Sequence, residues 1–179
     1  DSSSPNSSSN FLPNSPPNPI VARFEGGCEF GALAFGNRSI IANPSAWGVV
    51  RTINDAIKHR DFWMPFACSL TLERHQEFLS NPKNIASPYM TLAFDVLPSA
   101  VKGIINAIHP YDYTARPQIL EKEWNRSYWE IIQPNGAVLN TSFNLHGSPL
   151  VYSPKDALET FENSGLQKMQ LGDYMIFKK

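Results

Sequence analysis

The chain has 179 residues, of which 42% are hydrophobic and 12% aromatic, and its 15 Lys and Arg nearly balance its 16 Asp and Glu. This size and composition suit one folded domain with a sizeable core. The net charge of −1 disfavours a protein that binds nucleic-acid backbones, because neutralising phosphates requires a concentrated basic face. No run of about 18 apolar residues occurs, so we expect no transmembrane helix, and two cysteines cannot supply a disulfide framework.

Residues 1–20 predict a disordered tail or an interdomain linker, and residues 21–179 predict a single folded domain. Ser, Pro and Asn dominate the first stretch, and its sparse apolar residues cannot offset the cost of ordering the backbone, about 1–2 kcal/mol per residue. The stretch lacks an initiator Met and the basic and apolar regions of a secretory signal. We therefore expect a piece of a longer chain, with a processed mature N-terminus as the alternative.

Short strands separated by turn signals dominate the first two thirds of the predicted domain. Strands are predicted over residues 23–30, 39–42, 62–70 and 88–96. A glycine-rich turn over 31–36 separates the first two strands. Pro44 opens a predicted helix with Asn43 as its N-cap, because apolar residues recur there at every fourth position: Val49, Ile53 and Ile57. The remaining predictions are a short helix over 72–79, a turn-rich stretch over 106–120 and a helix over 123–132.

The C-terminal third carries the clearest boundaries. Residues 137–139 predict a buried strand, and polar residues follow it over 140–144. The sequence Ser-Pro-Lys-Asp at 153–156 combines a hydroxyl N-cap, a first-turn Pro and an acid, which predicts a helix. Gly165 is expected to end that helix in a left-handed conformation, and residues 169–177 predict a closing strand with an internal turn. Strands that alternate with helices favour a mixed α/β sheet of the α+β kind.

Three polar clusters are candidates for binding an anion. Residues 36–39 follow the glycine-rich turn, where Arg38 can contact an anion or tie the turn to neighbouring carbonyls. Residues 58–60, Lys-His-Arg, end a predicted helix, where a cation also complements the helix dipole. Residues 114–118 and 140–144 suit a ligand crevice at the carboxyl end of a sheet, although turn formation explains the same residue types.

The sequence predicts no metal site. His75 and His109 lack metal-ligand spacing with each other and with the two cysteines. Cys68 stands among apolar residues and is expected to be an inert buried thiol.

Taken in order, these segments resemble one family, the O-carbamoyltransferases of antibiotic and nodulation-factor biosynthesis. Residues 29–41, EFGALAFGNRSII, are similar to the family's EFGPRALGNRSIL. The same order continues with IKHRD, FWMPFA, SPYM, TAR, LNTSFN, SPKDA and SGL, up to residue 166. The match resembles the C-terminal domain of those enzymes, which has a YrdC-like fold: a mixed twisted sheet with helices packed on it.

The resemblance implies a carbamoyl-activating domain. In the family this domain binds carbamoyl phosphate and ATP as substrates, with Mg²⁺ on the nucleotide, and forms carbamoyl-adenylate with release of pyrophosphate. A separate N-terminal domain of actin-like fold, which holds the family's iron-type metal site, then transfers the carbamoyl group to the hydroxyl of a small-molecule acceptor. That partner would belong to the same longer chain or to a separate subunit. We expect a cytoplasmic protein that binds neither nucleic acid nor membrane.

The family's contacts map onto residues of matching chemical type. The resemblance implies a site for carbamoyl phosphate and nucleotide made of Arg38, Lys58, Arg116, Asn140, Ser142 and Asn144. Lys58 and Arg116 form the predicted catalytic pair, as a point charge and a two-pronged fork for phosphate oxygens. Asn140 and Ser142 would hold the carbamoyl amide and the remaining oxygens.

Two arginines of the family are absent, because Leu33 and Met64 stand at their positions. One charge-assisted contact contributes about 1.5–3 kcal/mol. Losing two would weaken the binding of a phosphate dianion roughly a hundredfold to ten-thousandfold, unless Arg23, Arg38 or Arg60 substitutes. The alternative function is therefore a non-catalytic ligand-binding or scaffolding module that keeps the fold. A third hypothesis, RNA binding as in some YrdC-like relatives, is disfavoured by the charge balance.

Overall fold

The computed structural model describes residues 20–31, 33–61 and 63–179. The predicted tail lies outside them except for Ile20. The strands are β1 Val21–Phe24, β2 Arg38–Ala42, β3 Ala67–Thr71, β4 Phe94–Asp95, β5 Thr114–Ala115, β6 Gln118–Leu120, β7 Ala137–Ser142, β8 Lys168–Leu171 and β9 Tyr174–Phe177. The α-helices are α1 Val49–Ile53, α2 Arg126–Ile132 and α3 Pro154–Glu162. A π-helical turn, Asn54–Lys58, continues α1, and 3₁₀ turns span His75–Glu77 and Ile105–Ala107.

Seven of the strands form one mixed sheet in the order β6-β3-β7-β2-β1-β8-β9. β1 pairs with β8 and β3 pairs with β6 in parallel, and the other neighbours are antiparallel. β4 and β5 form a small separate antiparallel pair. The predicted mixed α/β class is confirmed. In the part of the chain that the structure describes, no helix is long and apolar enough to cross a bilayer.

The core lies on both faces of the sheet. Side chains of successive strand residues point to opposite faces, and along β7 Leu139 packs in the larger apolar cluster while Val138 packs in the smaller one. The larger cluster takes in the buried sides of α1 and α3. The smaller cluster takes in Tyr128 and Ile132 of α2. The sheet is therefore covered by helices on two sides and leaves its strand ends open.

The predicted helix over 44–57 is present, but it begins later. Gly48 adopts a left-handed conformation with φ 76°, which separates the preceding turn from α1. Asn43 caps that turn instead of a helix, because its Oδ1 accepts a hydrogen bond from the Ser45 backbone N–H at 2.9 Å. The apolar spacing is confirmed, since the three residues at every fourth position are buried: Val49, Ile53 and Ile57.

Two predictions concern the ends of α3, and the one for its N-cap is confirmed. Ser153 Oγ accepts from the Asp156 backbone N–H at 3.2 Å, and Asp156 Oδ2 accepts from the Ser153 N–H at 2.8 Å, which is a reciprocal capping box. The prediction of a left-handed Gly165 is wrong, because Gly165 lacks a positive φ. Its small size serves packing, since an added Cβ would lie 3.0 Å from the Ala56 Cα.

Several predicted elements are shorter than expected. The first strand ends at Phe24, and Gly26 follows with φ 53°. The strand predicted over 62–70 begins only at Ala67, after Pro65, and Phe62 lies outside the described residues. The predicted strand over 88–96 is reduced to β4, the helix over 72–79 to one 3₁₀ turn, and the turn-rich stretch contains β5 and β6. The helix over 123–132 begins after its N-cap Asn125.

Replacing Gly36 with Ala is expected to destabilise the fold by about 2–5 kcal/mol, the sum of a left-handed alanine and an overpacked contact. Gly36 has φ 119°, and an added Cβ would collide with the buried ring of Tyr128. The matched control is Gly48→Ala, where φ is 76° but nothing lies within 4 Å. Urea denaturation should show a loss of only about 1–2 kcal/mol for that control. Equal losses in the two variants would contradict the packing argument.

Candidate functional site

A cavity of 780 Å³ opens at the end of the sheet where β7 finishes and where β3 and β6 begin. The antiparallel pairing of β7 with β3 brings Ser142 at the end of one strand close to the residues that precede the other. Its lining is rich in basic and imidazole side chains: Lys58, Arg60, Arg116, His59, His109 and His146. From the two predicted polar stretches, Thr114, Arg116, Ser142 and Asn144 line the cavity, which lies at the carboxyl end of β7 but at the amino ends of β3 and β6.

Lys58 is the most buried of the lining cations. It ends the π-helical turn, and His59 follows it in a left-handed conformation with φ 48°. The Lys58 Nζ donates to Ser142 Oγ at 3.0 Å and to Asn144 Oδ1 at 2.7 Å, and Ser142 Oγ donates to the same Asn144 oxygen at 2.6 Å. The structure thus brings three of the predicted site residues into direct contact.

The environment of Lys58 disfavours its charge. Burial, and then the neighbouring charge of Arg60, lower the pKa of Lys58 from 10.5 to about 7. Its hydrogen-bond partners are neutral oxygens, which do not supply a counter-charge. An anion placed in the cavity would therefore favour the protonated form of Lys58 and would be attracted by it.

Arg60 and Arg116 face the same cavity. The Arg60 guanidinium lies 4.7 Å from the centre of the Phe66 ring and donates to Thr141 Oγ1 at 3.2 Å. Burial, and then the charge of Arg116, lower the pKa of Arg60. Arg116 therefore disfavours the charge of Arg60, and Arg60 disfavours the charge of Lys58. The sequence named Arg60 in the candidate cluster over 58–60 and among the substitutes for lost arginines, but the resemblance did not place it among the site residues.

The structure places Arg38 outside the cavity lining. Its Nη1 donates to the Glu25 carbonyl at 2.7 Å, its Nη2 donates to the Gly26 carbonyl at 3.1 Å, and its guanidinium carbon lies 3.6 Å from the centre of the Phe24 ring. These contacts match the alternative in which Arg38 ties the turn to neighbouring carbonyls. Arg38 therefore contributes no side chain to this cavity.

Asn140 and Arg23 also lie away from the cavity. Asn140 Nδ2 donates at 3.0 Å to both the Ala34 carbonyl and Ser69 Oγ, inside a buried polar network. Arg23 donates to the Gly36 carbonyl at 2.6 Å and to Ser127 Oγ at 2.7 Å. Of the three arginines considered as substitutes, Arg60 is the one that reaches the cavity.

The two positions that lack the family's arginines differ in placement. Met64 lines the cavity and its side chain is partly exposed. Leu33 is half-buried and is not part of the lining. Only the change at Met64 therefore alters the walls of this cavity.

The remaining histidines and cysteines form no site of their own. Among the described residues, no three His, Cys, Asp or Glu side chains lie close enough together to hold a metal ion. His75 is buried against the Leu72 carbonyl, 2.6 Å from its Nδ1. Cys68 is buried as expected, and desolvation raises the pKa of its thiol to about 12.

Comparisons with known proteins agree with the resemblance found in the sequence. An uncharacterised protein of Methanocaldococcus jannaschii is 40% identical over 167 residues, which is 90% of this chain and 32% of that protein. Nodulation protein NolNO of Sinorhizobium fredii is 35% identical over 89% of this chain and 24% of its own length. A 3'-hydroxymethylcephem-O-carbamoyltransferase of Amycolatopsis lactamdurans is 27% identical over 86% of this chain and 30% of its own length.

The matches show how much of its relatives this chain covers and which family it belongs to. The chain spans about a third or less of the length of the relatives it resembles. The family described as "Carbamoyltransferase C-terminus" matches residues 16–178, nearly the whole chain. The chain therefore belongs to the carbamoyltransferase C-terminal domain family.

Proposed function

We propose that this chain is the carbamoyl-activating part of an O-carbamoyltransferase and that its cavity binds carbamoyl phosphate. The observation that supports this most is the set of three cationic side chains, Lys58, Arg60 and Arg116, that face one cavity. Ser142 and Asn144 supply polar atoms beside them. Membership of the carbamoyltransferase family selects a carbamoyl donor among small phosphorylated compounds.

The charge of the cavity suits a phosphate dianion. Arg116 offers a planar fork that matches two phosphate oxygens, and Lys58 offers a point charge. Arg60 adds a third cation at the cavity where Met64 replaces one of the family's arginines. The phosphoryl group of the donor would supply the counter-charge that these three side chains lack.

The proposed reaction is an adenylation. Water cleaves carbamoyl phosphate to carbamate and phosphate, and a carbamate oxygen then attacks the α-phosphorus of ATP, so that pyrophosphate leaves and carbamoyl-adenylate forms. The cationic side chains would act by positioning the anions and by neutralising the charge that develops during the attack. Mg²⁺ would arrive on the nucleotide, because Asp61 is the one carboxylate among the described lining residues and cannot form a cation cage alone.

We assign the transfer step to a second domain of actin-like fold with the family's iron-type site. The relatives are roughly three to four times longer than the region they share with this chain, which leaves ample length for such a domain. The acceptor would be a small molecule with a hydroxyl group. One relative is named as an O-carbamoyltransferase that acts on a hydroxymethylcephem.

A non-catalytic binding module is the second candidate function, and Met64 in the cavity wall is the observation that favours it. A measurement of pyrophosphate release distinguishes the enzyme from the non-catalytic module. The wild-type chain, mixed with ATP, Mg²⁺ and carbamoyl phosphate, should release pyrophosphate only when both substrates are present. Carbamoyl phosphate binding without pyrophosphate release would indicate a non-catalytic binding module. The absence of both binding and release would contradict the proposal that carbamoyl phosphate is the donor.

Arg116→Ala should reduce affinity for carbamoyl phosphate by about tenfold to more than a hundredfold, because one charge-assisted contact contributes about 1.5–3 kcal/mol. Isothermal titration calorimetry measures the change. Arg51→Ala is the matched control, since the Arg51 side chain is 88% exposed and its ion pair among the described residues is with Asp55, in the π-helical turn that continues α1. An affinity that is equal in the two variants would show that Arg116 does not hold the donor.

Met64→Arg should strengthen carbamoyl phosphate binding by about tenfold, because it adds a guanidinium to the cavity wall. The control is Met64→Gln, which adds polarity and similar length without charge. The two variants are compared with wild type by the same titration. A gain in the Gln variant as large as that in the Arg variant would mean that charge is not the cause.

Carbamoyl phosphate binding should be accompanied by proton uptake at pH 8. The pKa of Lys58 is about 7 without ligand, so the amine is mostly neutral at pH 8, and a bound dianion raises its pKa and draws a proton from solution. Affinity should fall as the pH rises from 7 to 9, by at most tenfold per pH unit. Titrations in two buffers of different ionisation enthalpy count the protons, and Lys58→Gln should abolish the uptake. Equal uptake in wild type and variant would exclude Lys58 as the source.

A further inference from the structure

His146 is held at the cavity wall by the segment that carries Lys58. It lies in the loop after β7, and its backbone N–H donates to the Ile57 carbonyl at 3.2 Å. Its ring Nδ1 lies 2.6 Å from the Lys58 carbonyl oxygen. The His59 ring stands edge-on to it, with 6.3 Å between the ring centres. These contacts fix both the position and the orientation of the imidazole.

The Lys58 carbonyl determines which ring nitrogen carries the proton. A carbonyl oxygen only accepts hydrogen bonds, so Nδ1 of His146 must be the donor in this contact. In the neutral imidazole the other nitrogen, Nε2, then carries a lone pair and is an acceptor. In the described part of the chain Nε2 makes no hydrogen bond, and His146 lines the cavity.

Some of the other polar side chains of the lining already have partners. Asn144 Oδ1 accepts from Lys58 at 2.7 Å and from Ser142 at 2.6 Å. Thr114 Oγ1 donates to Asp112 at 2.8 Å, and His109 Nδ1 lies 3.2 Å from the same carboxylate. His146 Nε2 is therefore an acceptor of fixed tautomer beside three cations that only donate. His109, whose Nε2 also makes no hydrogen bond among the described residues, is the rival acceptor that the control below tests.

We infer that His146 Nε2 accepts a hydrogen bond from the amino group of the carbamoyl donor and that His146 is the residue that distinguishes carbamoyl phosphate from acyl phosphates. This inference rests on the proposed function. Carbamoyl and acetyl phosphate carry the same phosphoryl group and have nearly the same shape, but one ends in NH₂ and the other in CH₃. The cations cannot separate them, whereas an acceptor aimed at the NH₂ group can, because a methyl group would leave it unpaired.

Two stable analogues test this on the whole chain. Phosphonoacetamide and acetonylphosphonate replace the labile bridging oxygen with CH₂ and differ only in NH₂ against CH₃. Wild-type protein should bind phosphonoacetamide about tenfold more tightly. His146→Asn keeps an amide N–H near the position of Nδ1, for the Lys58 carbonyl, and removes Nε2, so the affinity ratio should fall to about one. A purely structural role would weaken both ligands together and leave the ratio unchanged.

The control is His109→Asn, the same substitution at another histidine of the cavity, and it should keep the wild-type ratio. A ratio that persists in His146→Asn, or that collapses equally in His109→Asn, overturns the inference.

If His146→Asn does not fold, ¹⁵N NMR of histidine-labelled wild-type protein replaces it. The resonance of His146 Nε2 should shift with phosphonoacetamide and not with acetonylphosphonate, and equal shifts would overturn the inference. Failure of wild-type protein to bind either analogue would reject the proposed function itself, whereas tight but undiscriminating binding rejects only the role of His146.

Discussion

The site depends on one buried amine without a counter-ion. Lys58 is only 4% exposed, and its ammonium is surrounded by neutral oxygens from Ser142 and Asn144. A charge in such a place costs stability unless something pairs with it. The same residue accepts through its backbone carbonyl from His146. Lys58 therefore joins the π-helical turn to the loop after β7, and its charged form has no counter-ion at the cavity.

The sheet topology explains why three cations lie beside the same cavity. β7 runs antiparallel to β3, and β3 runs parallel to β6. The end of β7 and the starts of the other two strands consequently meet at one edge, where Lys58 and Arg60 from the segment after α1 meet Arg116 from the segment before β6. None of the three forms an ion pair with a carboxylate among the described residues. A small dianion would supply the missing counter-charge, which is why we propose a phosphorylated carbamoyl donor.

Local features were predictable from the sequence, and long-range ones were predictable only through the family resemblance. The capping box of Ser153 and the burial of Ile53 follow from neighbouring residues. Contact of Lys58 with Ser142 spans 84 positions, so no local pattern contains it. Arg38 was ambiguous because an arginine beside a turn suits both carbonyls and anions, and the burial that decides between them is tertiary. His146 was missed because its acceptor role is set by a carbonyl 88 positions away.

A crystal structure of the chain with phosphonoacetamide would show whether the three cations bind the phosphoryl group of the donor. We expect the phosphonate within hydrogen-bond distance of Lys58 Nζ and of the Arg60 and Arg116 guanidinium groups, at the strand ends where the cavity opens. A phosphonate bound elsewhere on the chain, or a cavity that stays free of ligand at saturating concentration, would contradict it.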